Sequence, residues 1–240
     1  TFDRTGKNNF DAVQHEGATR IARIAAEEGV EHMVHLSAIG ADPDAESLYS
    51  QTKAKGEQGV QDHFPDAVIL RPSVMFGPED EFFNRFAAMS RWGPVLPVVG
   101  AETKFQAAYA DNVAEAAAKG AMGEAIPGIY ELGGPDVNTF RELMQQMLDI
   151  IRRRRLILNI PVWAAGIMAW AMELVQTVSL GLIPAQITRD QVKSLRVDNV
   201  VSDGARGLAD MGILPTALEA VLPDYLWRFR QAGQYEAIKE

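Results

Sequence analysis

Residues 33–72 read MVHLSAIGADPDAESLYSQTKAKGEQGVQDHFPDAVILRP, and the order of parts in this stretch decides the fold. Met33-Val34-His35-Leu36 is a short apolar run that closes on Ser37, and a loop from Ala38 to Ala45 with Gly40 and Pro43 follows it. That is the pattern of a buried strand and its turn. A helix from near Tyr49 to His63-Phe64-Pro65 leads to a second apolar run, Ala67-Val68-Ile69-Leu70, which Arg71-Pro72 ends. Upstream, Val13, Gly17, Ile21, Ile24 and Ala25 recur at helical spacing before Glu28-Gly29. Downstream, helices are expected near Asp80–Arg91 and Asp111–Met122, and a third strand at Ile129–Leu132. Short apolar strands alternating with helices of this length predict an α/β protein: a parallel sheet with helices on its faces.

Composition narrows the function classes. The chain has 240 residues, 47% of them hydrophobic and 23% charged, with no cysteine. These values exclude a disordered or fibrous chain, a disulfide framework and thiolate chemistry, and they suit a reducing compartment. Residues 1–140 carry 11 Lys and Arg against 21 Asp and Glu. Such an acidic surface repels phosphate backbones, so no nucleic-acid partner is expected. His32 and His35 stand three apart on a strand and point to opposite faces, so no metal site is predicted.

The chain opens at Thr1 on a polar stretch that runs straight into a helix, as the middle of a domain does. A glycine-rich phosphate turn is found nowhere in this sequence, so in a dinucleotide fold the first strands and that turn are expected upstream. From Thr139 onward only helices are expected, which divides the chain at 1–138 and 139–240. Thr188 with Gln191 and Thr216 with Glu219 have the spacing of capping boxes, and Asp111 is expected to cap its helix.

Three groups of residues could carry chemistry. Tyr49 and Lys53 are four apart on a helix and share one face. A cation so close lowers a phenol's pKa, which would make Tyr49 a usable proton donor and acceptor. Ser37, at the carboxyl end of the preceding strand, would hold a substrate oxygen within reach of Tyr49, giving a carbonyl/alcohol site. A solvated helix face is the alternative for the Tyr-Lys pair, and the order strand, Ser37, loop, Tyr49 and Lys53 favours the site. In the second group, Pro72 ends a strand, and the amides of Ser73, Val74 and Met75 are expected to face a ligand; a plain strand-ending proline is the alternative. The third group is Arg152 to Arg155 followed by the uncharged stretches Leu156–Met172 and Leu174–Thr188. Asn159, Pro161 and Glu173 argue against a membrane span. An all-round apolar helix beside arginines and tryptophans suits surface docking, while the arginines alone also suit a helix C-terminus.

The motif order resembles the extended and atypical short-chain dehydrogenase/reductase superfamily. The residues that carry this are Ser37, Tyr49 and Lys53 with Gly56-Glu57 behind them, Arg71-Pro72 through Gly77-Pro78, and LADMGILPTALE at 208–219. More narrowly, EDEFFNRF at 79–86 and ITRDQV at 187–192 resemble the family of thirty-nine-kilodalton accessory subunits of respiratory complex I and their bacterial relatives. The resemblance implies a Rossmann-type doubly wound parallel sheet, whose N-terminal strands this chain lacks, with a mostly helical C-terminal region. It implies binding of NADP(H), ahead of NAD(H). Ser37, Tyr49 and Lys53 would stand at the catalytic and cofactor positions, with Pro72, Ser73, Val74 and Met75 beside the nicotinamide. It further implies a mainly structural subunit, with other complex I subunits as partners and peripheral membrane contact through 152–188. Its place would be the matrix or cytoplasmic face of the energy-transducing inner membrane. The intact Ser-Tyr-Lys set also fits a free NAD(P)-dependent reductase or epimerase/dehydratase, so whether the protein is an enzyme stays open. Asp111-Asn112 departs from the family's commoner Asp-Asp.

Overall fold

The computed structural model describes residues 9–179, 187–231 and 233. A π-helical turn, Asp11–Glu16, opens onto α1 (Gly17–Glu27) and is followed by β1 (Val34–Leu36), α2 (Leu48–His63), β2 (Val68–Pro72) and β3 (Met75–Phe76). Next come α3 (Phe83–Met89), β4 (Val95–Val99), β5 (Lys104–Phe105), β6 (Ala108–Tyr109), α4 (Ala110–Ala121), β7 (Gly128–Leu132) and β8 (Asn138–Thr139). The chain continues through α5 (Phe140–Ile150), β9 (Leu156–Ile160), α6 (Val162–Val178), α7 (Arg189–Ser194) and α8 (Leu218–Leu226).

These elements form two compact units. The first comprises Thr1–Ser73, Ala108–Gly134 and Asn199–Pro215, and the second Val74–Ala107, Pro135–Asp198 and Thr216–Glu240. The single boundary expected between 138 and 139 is therefore replaced by an interleaved division. The physical reason is burial: Leu208, Met211 and Ile213 close the core formed by Val68, Leu70, Val113, Ala116, Tyr130 and Leu132, so a late segment completes the early unit.

In the first unit β1, β2 and β7 form a parallel sheet in the order β1-β2-β7. Val68, Leu70, Tyr130 and Leu132 pack against Val113 and Ala116 of α4, while Ala22 of α1 and Val60 of α2 form a second core with Phe64 and Ala67. Helices thus cover both faces, the doubly wound arrangement. The π-helical turn and α1 approach α2 closely because Gly56 and Gly59 lack side chains: a Cβ at Gly56 would lie 2.2 Å from the Gln14 carbonyl oxygen of the turn, and one at Gly59 would meet the Thr19 side chain of α1. Across that contact Thr52 donates to Gln14 Oε1 at 2.8 Å.

The second unit corrects the expectation of helices only. Leu156–Ile160 is a strand, β9, parallel to β4, and β5 pairs antiparallel with β8. The apolar run that opens at Leu156 includes the β-branched Ile157 and Ile160 and is short before Pro161 interrupts it, so it pairs as a strand and only then turns into α6. Phe82, Phe86, Phe105 and Phe140 form an aromatic core with ring centroids 5.3–6.1 Å apart.

The Thr188/Gln191 capping box is present at α7. Thr216 does not cap α8, which starts one residue later with Ala217 at its N-cap, a start that buries Leu218, Val221, Leu222 and Tyr225. A box that the sequence reading passed over, Thr139 with Glu142, opens α5. Tyr109, not Asp111, is the N-cap of α4, and the Asp111 carboxylate accepts from the Tyr109 hydroxyl at 2.6 Å.

Candidate active site

Ser37 follows β1 at the carboxyl end of the sheet, where open α/β sheets bind ligands. Its amide extends the ladder by donating to the Leu70 carbonyl at 2.7 Å. Its side chain is 4% exposed, and Oγ has no hydrogen-bond partner. A buried hydroxyl without a partner is costly, and a ligand polar atom would satisfy it. That orphaned atom is the observation by which this strand end fits a polar ligand.

Tyr49 and Lys53 lie in the first turns of α2, the helix that follows β1 and Ser37 in the chain order the sequence predicts. The Lys53 ammonium donates to the Leu36 carbonyl at 3.0 Å and lies 5.9 Å from the centre of the Tyr49 ring. The Phe10 ring meets Tyr49 edge-on at 6.0 Å. Burial raises the Tyr49 pKa above its ordinary value. Burial lowers the Lys53 pKa, and the Glu57 carboxylate opposes that shift. The expected lowering of the phenol pKa by Lys53 is thus reversed: desolvation dominates, and the cation is spent on a backbone carbonyl.

Pro72 is the buried last residue of β2. The Ser73 amide donates to the Leu132 carbonyl at 2.9 Å, continuing the ladder to β7. The expectation that this amide faces a ligand is therefore corrected, because a neighbouring strand is there to take it. Val74 and Met75 fall in the second unit, where Met75 opens β3 and is exposed.

Two groups escaped the sequence reading. The first is a buried ionic network: Arg71 Nε and Nη2 donate to both Glu57 oxygens at 2.8 and 2.6 Å, and Arg71 Nη1 lies 3.6 Å from Glu131. The Glu131 carboxylate in turn accepts from the Ser202 amide at 2.7 Å. Hydrogen bonding to Glu57, opposed by burial, raises the Arg71 pKa. His35, one strand away, has an unpartnered buried Nε2, and burial together with Lys53 lowers its pKa. The second is Asn199, which reaches the carboxyl end of the sheet from the last segment of the unit. The Glu57 position, four residues after Lys53 and one turn along the same helix, was the available signal for the first group; Asn199 had none.

In the second unit, two side chains of the arginine run bond to backbone carbonyls. Arg153 Nε donates to the Phe229 carbonyl at 2.8 Å, and Arg155 Nε to the Ser90 carbonyl at 2.7 Å. Arg152 and Arg154 are exposed. Along α6, Trp163, Ile167, Trp170 and Leu174 are exposed, Trp163 to 72%. Among the described residues no helix is long and apolar enough to cross a membrane. Of the uncharged stretch 174–188, residues 180–186 lie outside the described residues.

A parallel sheet with helices on both faces, a serine at a strand end and a Tyr-x-x-x-Lys pair opening the following helix define a Rossmann-type fold of the epimerase and short-chain reductase kind. The Thermus thermophilus UDP-glucose 4-epimerase, in complex with NAD, shares that fold with a TM-score of 0.65 at 18% identity, over 94% of this chain and 72% of that one.

In sequence the chain is similar to proteins named as subunits of mitochondrial NADH-ubiquinone oxidoreductase. It is 33% identical over 231 residues to the mitochondrial NADH dehydrogenase (ubiquinone) 1 alpha subcomplex subunit 9 of Arabidopsis thaliana, covering 94% of this chain and 58% of that protein. It is 28% identical over 229 residues to the mitochondrial NADH-ubiquinone oxidoreductase 40 kDa subunit of Neurospora crassa, covering 95% and 59%. The chain thus spans less than three fifths of the length of these curated relatives. No protein-family model matches it.

Proposed function

We propose that this protein is a nicotinamide-nucleotide-binding accessory or assembly subunit of respiratory complex I, with a mainly structural role. The observation that carries the reading is alignment along 94–95% of the chain with two proteins named as subunits of that enzyme. Ser37, Tyr49, Lys53, Pro72 and Ser73 line the nicotinamide end of the nucleotide in this reading, and NADP(H) is preferred to NAD(H). A bound nicotinamide supplies a hydride donor or acceptor. Tyr49 is poorly suited to use it, because burial raises its pKa and the Lys53 ammonium is held by Leu36. The nucleotide then acts as a structural ligand, which stabilises the folded state by mass action.

The same reading puts the protein on the matrix or cytoplasmic face of the energy-transducing inner membrane. Exposed tryptophans and aliphatic side chains on α6, with Arg152 and Arg154 exposed nearby in sequence, support peripheral contact with the interface.

Tyr49→Phe tests the structural role. The variant is expected to keep both its bound nucleotide and its incorporation into the complex within about twofold of wild type. Loss of a hydroxyl that moves a proton costs about 10²-fold or more in turnover. An oxidoreductase activity of the purified protein that falls by that factor in Tyr49→Phe would move the protein to the free reductase or epimerase class.

A further inference from the structure

We propose that Asn199 is a positioning residue of the nucleotide site, fixing the turns that follow β1 and β2 at the spacing a ligand of Ser37 requires. The inference rests on the nucleotide-binding reading above. Ser37 and Ser73 each stand immediately after a strand, on adjacent strands, at the same end of the sheet. Asn199 bridges the two turns with both ends of its carboxamide. Its Oδ1 accepts from Ser73 Oγ at 2.6 Å, and its Nδ2 donates to the Ile39 carbonyl at 3.4 Å, two residues beyond Ser37. The Asn199 carbonyl lies 3.0 Å from the same Ser73 hydroxyl, so its single proton is shared between two acceptors of one residue.

The clamp is held from behind. The Ser202 amide donates to the buried Glu131 carboxylate, and the Glu131 amide donates to the Arg206 carbonyl at 2.8 Å. The segment 199–206 is therefore pinned along β7 while its first residue reaches across the strand ends. Ile39 is also tied from the other side, since its amide donates to the Pro72 carbonyl at 3.0 Å. The turn after Ser37 is thereby fastened at both its amide and its carbonyl, yet the Ser37 hydroxyl inside it is left unpaired and buried. A rigid frame around an unsatisfied hydroxyl is the arrangement of a preorganised ligand contact.

The chemistry of the carboxamide makes the role specific. Asn supplies an acceptor oxygen and a donor nitrogen, and both atoms are used. Aspartate keeps the acceptor for Ser73 and loses the donor for Ile39; alanine loses both.

The test is titration of the intact protein and its Asn199→Asp, Asn199→Ala and Ser73→Ala variants. One probe is NADPH, followed by the fluorescence of its reduced ring. The other is 2′-phospho-ADP-ribose, which lacks the nicotinamide. Asn199→Ala and Ser73→Ala are expected to weaken NADPH binding about tenfold each, with the double variant no worse than either, because the two remove one clamp. Affinity for 2′-phospho-ADP-ribose is expected to stay within about twofold. Asn199→Asp keeps one hydrogen bond and is expected to fall between wild type and Asn199→Ala. Equal loss for both probes would reduce Asn199 to a fold-stabilising residue and overturn the proposal. So would unchanged NADPH affinity in every variant while wild type binds. If wild type binds neither NADPH nor NADH, the nucleotide reading itself fails and takes the proposal with it.

Discussion

Arg71→Met is expected to lower the stability of the first unit by about 3–5 kcal/mol, the cost of breaking a buried ion pair from one side. Glu57 and Glu131 are only 4% and 8% exposed, and Arg71 is paired with both. Methionine fills similar volume but leaves two buried carboxylates without their cation. Amide exchange in β1, β2 and β7 is expected to accelerate by roughly two to four orders of magnitude. The fork geometry sharpens the expectation: two hydrogen bonds from Arg71 to the two Glu57 oxygens are lost together. Combining Arg71→Met with Glu57→Met is expected to recover much of the loss, since an apolar pair replaces the ion pair instead of breaking it. A single variant as stable as wild type would mean that the network carries little weight.

Phe140→Ala is expected to cost about 3–5 kcal/mol in the second unit. The ring is buried, stacks on Phe82 at 5.4 Å and meets Phe86 and Phe105 edge-on at 5.3 and 5.6 Å. It is also the first residue of α5, directly after the Thr139 cap, so the cavity opens at the point where the helix is anchored. Three rings lose a partner at once, and aromatic pairs contribute about 0.5–1.5 kcal/mol beyond their buried area. Accelerated exchange through α3 and α5 measures the effect. Phe140→Leu, which refills most of the volume, is expected to cost less than half as much. Equal destabilisation by both would point to a specific aromatic requirement instead of a cavity.

The sheet was legible because its strands are short apolar runs ended by Ser37, by Pro72 and by Gly133, with helices of regular spacing between them. Period and punctuation determine that pattern locally. β9 was not legible: residues 156–160 are apolar and uncharged, so nothing in the run separates a strand from the start of a buried helix. Its assignment depends on β4, some sixty residues earlier, which supplies the pairing partner. The interleaved units escaped for the same reason, since Leu208, Met211 and Ile213 join a core whose other members precede them by about eighty residues or more.

At the candidate site, the positions of Ser37, Tyr49 and Lys53 follow from element order alone. Their electrostatics do not. Spacing four apart places Lys53 and Tyr49 on one face, but the Leu36 carbonyl takes the ammonium and desolvation raises the phenol pKa. Spacing carries no information about which backbone acceptor lies nearby. Asn199 lies 126 residues from Ser73, so its role is a property of the fold and not of any motif.

The most direct test of the account is native-gel fractionation of mildly solubilised membranes from the source cells, following this protein by mass spectrometry alongside NADH dehydrogenase activity. The account predicts co-migration with the large active complex. Recovery of the protein only as a species of monomer or dimer size, apart from that activity, would contradict it.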